Sequence, residues 1–119
     1  MRYISLFTHE ARTAAGPTQE EIATMGKLIE EGKKAGWLIV TEGVAGSSPG
    51  TRVHASGDKI SVVDGPFAEA KEVIGGYAIL RANSKDEVIE LTKKFLKVVG
   101  GNGTCELHEL YEMPVGGKA

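Results

Sequence analysis

The chain opens with alternating apolar and polar residues over positions 2–8, which is the pattern of a β-strand. Ile4 and Leu6 fall on one face of this strand, while Tyr3 and Phe7 fall on the other. Both faces of the first strand therefore carry apolar side chains.

Two later segments repeat apolar residues at helical spacing instead. Each begins with a capping box, at residues 18–21 (Thr-Gln-Glu-Glu) and 84–87 (Ser-Lys-Asp-Glu), where the hydroxyl and the glutamate each bond an exposed backbone N–H. Gly36 ends the first helix and residues 100–101 (Gly-Gly) end the second. The predicted inner faces consist of Ile22, Met25, Ile29 and Gly32 in the first helix, with Leu28 flanking them, and of Val88, Leu91, Phe95 and Val98 in the second.

Short runs rich in β-branched and aromatic residues predict further strands. They cover residues 37–42, 51–56, 59–63, 73–82 and 104–112. Gly57 and Asp58 have the spacing of a tight hairpin turn. Residues 64–67 (Asp-Gly-Pro-Phe) end the second hairpin strand, because proline cannot donate to a strand ladder and glycine permits a reversed backbone. Gly75 and Gly76 allow a bulge or a close backbone approach in the strand that follows.

The predicted order of elements is β-α-β, a β-hairpin, then β-α-β. This order is typical of a ferredoxin-like α+β domain, with an antiparallel sheet and two helices on one of its faces. The residues predicted to cluster on the opposite face are Tyr3, Phe7, Trp37 and Ile39. Such a face is too apolar to lie in water, and a second copy of the sheet is its simplest cover. The pattern therefore predicts a homodimer.

Composition and charge agree with one small domain. The 119 residues are 41% hydrophobic, which suits a single core of modest size. The 14 basic and 16 acidic residues are interspersed, so we predict no surface for nucleic acid or for an acidic membrane. The apolar start is too short for a signal peptide and no run is long enough for a membrane helix, so a cytoplasmic location is expected. We expect residues 1–113 to form the domain and the Gly-rich residues 114–119 to form a poorly ordered tail.

Cysteine and histidine usage predicts neither a disulfide nor a metal site. With one cysteine, Cys105, no internal disulfide can form, and we expect a small buried apolar residue in a strand. His9, His54 and His108 match no metal-ligand spacing. Phosphate loops, dinucleotide fingerprints and nucleophile elbows are missing from the sequence, so no cofactor is predicted.

Residues 64–72 (Asp-Gly-Pro-Phe-Ala-Glu-Ala-Lys-Glu) carry a resemblance to a known family. They resemble the DGPFAETKE signature of the DGPF subgroup of YCII-related proteins, with Ala70 in place of threonine. The opening strand, Glu42 and Gly43, the hairpin and residues 75–77 (Gly-Gly-Tyr) follow in the order expected of that family. The resemblance implies a fold of the dimeric α+β barrel type, with a cleft on each subunit.

The resemblance also implies a chemistry, which this chain carries only in part. Other YCII-related proteins are thought to hold a His-Asp pair in the cleft, and one branch is similar to dehydrochlorinases of hydroxylated aromatics. None of the three histidines lies in the first predicted helix. The pair is therefore not transferred to this chain residue by residue.

Asp64 is the first candidate for acid/base chemistry. It ends a strand beside a glycine and a proline, where a carboxylate can stand at the mouth of a cleft as a general base or hold a ligand's hydroxyl or amine. It can equally cap its own turn by accepting bonds from backbone amides two residues on. Lys71, if it folds back toward Asp64, would keep the carboxylate ionised and depress its pKa.

Four other residues complete the predicted site. His9 follows the first strand and is the second candidate for acid/base catalysis. Glu42 can pair with Asp64 in the cleft or lie at the rim of the sheet. Phe67 can form an apolar wall or plug the core, and Tyr77 can offer its hydroxyl to a ligand or pack inside the dimer.

Three functions are consistent with these residues. The first is a small-molecule acid/base enzyme such as a lyase, isomerase or dehydrohalogenase, with Asp64 as the base. The second is a non-catalytic ligand-binding or regulatory homodimer that uses the same cleft. The third is a structural partner domain with an apolar interface and no pocket. One scaffold hosts many functions, so a resemblance in fold does not choose among them.

Overall fold

The computed structural model describes residues 1–10, 18–44, 50–65, 67, 72–99 and 103–112. The predicted tail at 114–119 lies outside them. Within the described residues the elements follow in this order: β1 (Arg2–Glu10), α1 (Gln19–Ala35), β2 (Leu38–Gly43), β3 (Thr51–Ser56), β4 (Lys59–Asp64), β5 (Glu72–Arg81), α2 (Lys85–Val99) and β6 (Thr104–Glu109).

The strands form two separate sheets. A four-stranded sheet has the order β2-β5-β1-β6, with every neighbouring pair antiparallel, and among the residues that the structure describes β3 pairs only with β4 in the second sheet. Together with the two helices, this order is the predicted ferredoxin-like α+β fold with an added hairpin. The predicted fold class is confirmed.

The core lies between one face of the four-stranded sheet and the two helices. Leu80 of β5 and Val88 of α2 are completely buried at its centre. The other buried members are Tyr3, Leu38, Ala78 and Ala82, and the partly buried side chains around them are Ile29, Trp37, Leu91, Phe95 and Leu107. Because these partly buried residues come from both helices, α1 and α2 cover the same face of the sheet.

Helix α1 begins and ends where the sequence predicts. Thr18 accepts a hydrogen bond from the Glu21 N–H at 3.1 Å, and the Glu21 carboxylate accepts one from the Thr18 N–H at 3.0 Å. Gly36 ends the helix in the left-handed region with φ of 88°, which glycine adopts without steric cost. The predicted inner face is correct except at Ile22, which is 58% exposed in the first turn.

The second capping box is only half formed. Ser84 accepts a hydrogen bond from the Glu87 N–H at 3.1 Å, as predicted. The Glu87 carboxylate accepts its bond from the side-chain amide of Asn83 at 3.5 Å, and not from the Ser84 backbone. Asn83 directly precedes the cap and offers a side-chain donor, so it provides a second partner that the four-residue pattern does not include.

The predicted apolar cluster on the uncovered face of the sheet is wrong. Tyr3 is buried in the core beneath the helices, and Phe7 shares its face because the two are four residues apart on one strand. Trp37 packs edge-on against Phe95 of α2, with ring centroids 5.9 Å apart. Strand alternation sorts residues into two faces, but it does not say which face the helices cover.

The other face of the four-stranded sheet, which we call the open face, carries the opposite set of side chains. Strand pairing places Ile4 beside Ile79 and Val40, and Leu6 beside Tyr77 and Glu42. The other described residues of the open face on paired strands include Arg2, Thr8, Glu10, Ile74, Arg81, Thr104, Glu106 and His108. The apolar residues at its centre are half-buried by one another, so the open face has an apolar middle.

Gly75 and Gly76 form the predicted irregularity in β5. The pairing of β1 with β5 passes from Phe7 and Gly76 to Thr8 and Ile74, so Gly75 is the extra residue of a bulge. A Cβ on Gly75 would lie 2.6 Å from the Phe7 ring. A Cβ on Gly76 would lie 2.7 Å from the Glu42 carbonyl oxygen. Both glycines are therefore required by the packing, one by an aromatic ring and one by the neighbouring strand.

Candidate functional site

Asp64 lies at the base of the β3–β4 hairpin. It is exposed, and its carboxylate accepts a hydrogen bond of 2.8 Å from the hydroxyl of Thr51, its direct partner across the ladder. Next to it, the Gly65 N–H donates to the Gly50 carbonyl at 2.7 Å and continues the hairpin by one step. Asp64 thus bonds to a side chain of its own hairpin.

Phe67 lies next to this base. The Arg52 guanidinium stacks over its half-buried ring, 3.8 Å from the centroid, in a cation–π contact that fixes the residue after the hairpin. Lys71 lies outside the described residues. Its approach to Asp64 therefore stays a prediction.

His9 lies near the end of β1, on the face of the sheet that Tyr3 and Phe7 share. Its ring is half-buried and tilted against Phe7, with centroids 5.7 Å apart. Nδ1 lies 2.9 Å from the Glu10 carbonyl oxygen, so a proton on Nδ1 leaves the Nε2 lone pair as the acceptor. Within the described residues, His9 and Asp64 each bond to another group and do not bond to each other.

Glu42 and Tyr77 come together on the open face. They are direct partners across β2 and β5, and Leu6 continues the row on β1. Tyr77 is half-buried while Glu42 is exposed at the end of its strand. The structure therefore joins these two predicted site residues, and it places Asp64 on a different sheet and His9 on the other face.

The same row ends in a pair that sequence reasoning did not single out. Glu106 pairs with Leu6 and His108 pairs with Ile4, so both side chains point to the open face. The His108 Nε2 and a Glu106 carboxylate oxygen are 2.5 Å apart. A signal was present in the sequence, because residues two apart on a strand share a face, but only the sheet register places this pair next to Leu6 and Ile4, one strand beyond Tyr77 and Ile79.

Charge is divided between the two ends of the open face. Arg2 and Arg81 pair at one end, and Glu42 and Glu106 lie in the row of Leu6 at the other, about 13 Å away along the strands. Arg2 also forms an ion pair of 3.4 Å with Glu112. The face is thus basic at one end, apolar in the middle and acidic at the other end.

The described residues contain no group of three His, Cys, Asp or Glu side chains that could hold a metal ion. No helix among them is long and apolar enough to cross a bilayer.

Burial raises the pKa of the Cys105 thiol above its ordinary value of 9.0, and a hydrogen bond with Ser5 opposes the shift only in part. The thiol is protonated at neutral pH, so it is a weak nucleophile.

Comparison with known proteins assigns the chain to a family. Residues 1–113 match the YCII-related domain. An uncharacterised protein of Rhizobium meliloti (strain 1021) is 31% identical over 88 residues, which cover 74% of this chain and 68% of the relative. The resemblance seen in the sequence agrees with this match, and the chain belongs to the YCII-related family.

Proposed function

We propose that this protein is a homodimer that binds a small ligand, and that two copies meet through the open faces of their four-stranded sheets. The observation that carries the proposal is the composition of that face. Ile4, Val40 and Ile79 form a continuous apolar row across three strands, and opposite charges lie on its two sides along the strand direction. Covering this row with a second copy removes apolar surface from water, which is the main driving force of association.

The charges of the open face are self-complementary. A two-fold axis that lies in the interface and perpendicular to the strands brings the basic end of one copy over the acidic end of the other. Both copies then contribute the same patch, as a closed two-fold dimer requires. Opposite charges then face each other at both ends. This favours the orientation over the alternative in which charges of the same sign lie opposite each other.

The acidic end of the open face is the ligand site in this proposal. Tyr77 offers an aromatic ring and a hydroxyl, and Glu42, its direct partner across the ladder, offers acceptor oxygens. These groups suit a compact molecule that carries hydroxyl or amine groups. Asp64 lies outside this proposed site because it belongs to the hairpin, which forms a separate sheet and where it bonds to Thr51.

A second candidate function is acid/base catalysis at the same end of the face, and the Glu106–His108 contact favours it. The Glu106 carboxylate can accept the Nε2 proton of the imidazole and leave Nδ1 as the acceptor, so His108 is the base in this candidate and not Asp64. The ligand-binding proposal is preferred because Glu42 and Tyr77 are direct partners on neighbouring strands, whereas Glu106 and His108 lie on the edge strand β6, two strands away from Tyr77.

We also propose a subgroup and a cellular location for this protein. The match of residues 64–72 to the DGPFAETKE signature supports membership of the DGPF subgroup. The near-neutral charge and the single cysteine support a cytoplasmic location.

The proposed interface is tested with a matched pair of isoleucines. Ile79 lies in the middle of the open face, and Ile22 is an exposed isoleucine on the outer part of α1. We expect light scattering to give the mass of two chains for the wild type and for Ile22→Arg, and of one chain for Ile79→Arg, because a buried unpaired charge is costly. Far-UV circular dichroism checks that both variants are folded. A dimer that survives Ile79→Arg unchanged would rule out the open face as the interface.

The proposed ligand site is tested by thermal shift against hydroxylated aromatics and small amines. A bound ligand stabilises the folded state by mass action and so raises the melting temperature. At a ligand concentration one hundred times the Kd, the free energy of unfolding rises by about 2.7 kcal/mol. We expect the shift to be lost in Glu42→Gln and in Tyr77→Phe and to persist in Asp64→Asn. Loss of the shift in Asp64→Asn alone would move the site to the hairpin base. Turnover that is abolished by His108→Gln would favour the catalytic candidate.

A further inference from the structure

The β3–β4 hairpin has two chemically different faces. The pairs Val53–Val62 and Ala55–Ile60 lie on one face, and the pair His54–Ser61 lies on the other between them. Arg52 with Val63 and Ser56 with Lys59 extend this second, mainly polar face. We call the side with the two apolar pairs the apolar hairpin face.

The apolar hairpin face is uncovered in the single chain. Val53, Ile60 and Val62 are 67%, 66% and 64% exposed, far more than the half-buried residues of the open face. Among the described residues, β3 and β4 make extensive contacts only with each other. A two-stranded hairpin is marginally stable alone, and exposed apolar strands invite further pairing, so this element needs a partner surface.

We infer that the apolar hairpin face docks on a second copy of this chain, as an arm that each subunit of the proposed dimer extends over the other. The inference rests on the proposed homodimer and adds a contact that the sheets alone do not provide. Ile74 of the open face and Val44, whose N–H donates to the Gly75 carbonyl, are both exposed and give an apolar surface that the chain's own hairpin does not cover.

The surface area that a stable dimer buries favours a second copy of this chain as the partner of the apolar hairpin face. Four strands of about six residues present roughly 20 by 19 Å, or about 400 Å². A stable interface buries about 800 Å² on each partner, so the sheets alone reach about half of it. A two-stranded arm adds about 200 Å². In a two-fold dimer each copy gives one arm and receives one, which brings the buried area to the size that a stable interface requires.

The inference is tested with two adjacent residue pairs of the hairpin, one on the apolar hairpin face and one on the opposite face. Val53→Lys with Val62→Glu places an attractive ion pair on the apolar hairpin face, and His54→Lys with Ser61→Glu places the same pair on the polar face. We expect the first double variant to raise the dimer Kd about 100-fold, since two buried apolar side chains become charged. We expect the second to change the Kd by no more than about threefold. Light scattering over a dilution series measures both values.

The outcomes separate this inference from the proposed dimer. A wild-type chain that is monomeric at every concentration overturns both. A dimer that Ile79→Arg dissociates, while Val53→Lys with Val62→Glu leaves the Kd unchanged, overturns the arm and keeps the sheet interface. A dimer that only the hairpin double variant dissociates supports the arm and overturns the sheet interface.

A measurement on the wild-type protein is independent of any substitution. Amide hydrogen exchange of residues 53–62 reports whether the hairpin is covered, because uncovered hairpins open freely. We expect the protection of these amides to rise when the protein concentration passes the dimer Kd. Protection that is the same above and below the Kd would overturn the arm.

Discussion

Two glycines of helix α1 show how one residue type has opposite roles within one element. A Cβ on Gly32 would lie 2.8 Å from the Leu38 Cβ and 2.9 Å from the Trp37 ring, whereas a Cβ on Gly26 would meet nothing within 4 Å. Gly32 lets the helix approach β2 closely, where Trp37 and Leu38 close the core. Gly26 is exposed and only lowers the helix propensity.

This contrast gives a matched pair of substitutions. We expect Gly32→Ala to lower the free energy of unfolding by about 1–3 kcal/mol, because the Leu38 Cβ is fixed to the backbone and cannot move aside. We expect Gly26→Ala to raise it by about 0.5–1 kcal/mol through helix propensity. Urea unfolding followed by circular dichroism measures both. Equal changes in the two variants would show that the close packing at Gly32 carries no energy.

At the scale of elements, the start of α1 depends on hydrogen bonds that four consecutive residues supply. Thr18 bonds the Glu21 N–H as the cap, whereas Thr24, one turn further on, donates its hydroxyl back to the Glu20 carbonyl at 2.9 Å. The first bond satisfies a backbone group that has no partner within the helix. The second bonds a carbonyl that is already part of the helix, so it adds little.

We therefore expect Thr18→Ala to destabilise the protein by about 1 kcal/mol, since an exposed N–H at the helix start loses its acceptor. Thr24→Ala is the control and should be neutral or slightly stabilising, because alanine is the better helix former. Thermal unfolding at a fixed protein concentration compares the two. A loss of stability in Thr24→Ala as large as in Thr18→Ala would contradict the capping role.

The prediction of elements succeeded where the signal is local. The strand bounds of β3 match the sequence expectation, and the others shift by a few residues at their ends. Capping boxes, turn glycines and apolar spacing act within a few residues, so the sequence displays them directly. The Ser84 box was only half right because Asn83 competes for the Glu87 carboxylate.

At the scale of the whole molecule, the separation of charge on the open face determines how two copies can meet. If the basic end of one subunit lies over the acidic end of the other, the dimer gains from attraction that salt weakens. We expect the dimer Kd to rise about tenfold between low and high ionic strength, as the Debye length falls from about 30 Å at 0.01 M to 3 Å at 1 M. Sedimentation equilibrium at several salt concentrations measures this dependence.

The control for the charge pairing is Arg81→Gln, which removes charge from the basic end while Arg2 remains tied to Glu112. We expect this variant to dimerise more weakly at low salt and to show a smaller salt dependence. An interface held by apolar contacts alone would keep its Kd, or tighten, as salt is added. That result would be consistent with an interface formed by the apolar row. It would contradict the proposal that charge pairing sets the orientation of the two subunits.

The candidate site was predictable only in part, because some of its residues are neighbours along the chain and others are brought together only by strand pairing. Sequence spacing identified Glu42 and Tyr77 but not that they are ladder partners. It grouped Asp64 with them, yet Asp64 belongs to the hairpin, which forms a separate sheet. The Glu106–His108 contact is local to β6, but its placement beside Leu6 and Ile4 depends on the register of β6 against β1, which joins residues about a hundred positions apart.

The sequence by itself determined the elements, their order and the α+β class, because helix caps, hairpin turns and alternation depend on neighbours along the chain. Only the tertiary structure decided which face of the sheet the helices cover, since alternation is the same for either choice. It also decided that Tyr3 and Trp37 belong to the core, and that Ile4 and Ile79 form the open face. Burial is a property of the packed molecule, and the residues that compete for it come from every part of the chain.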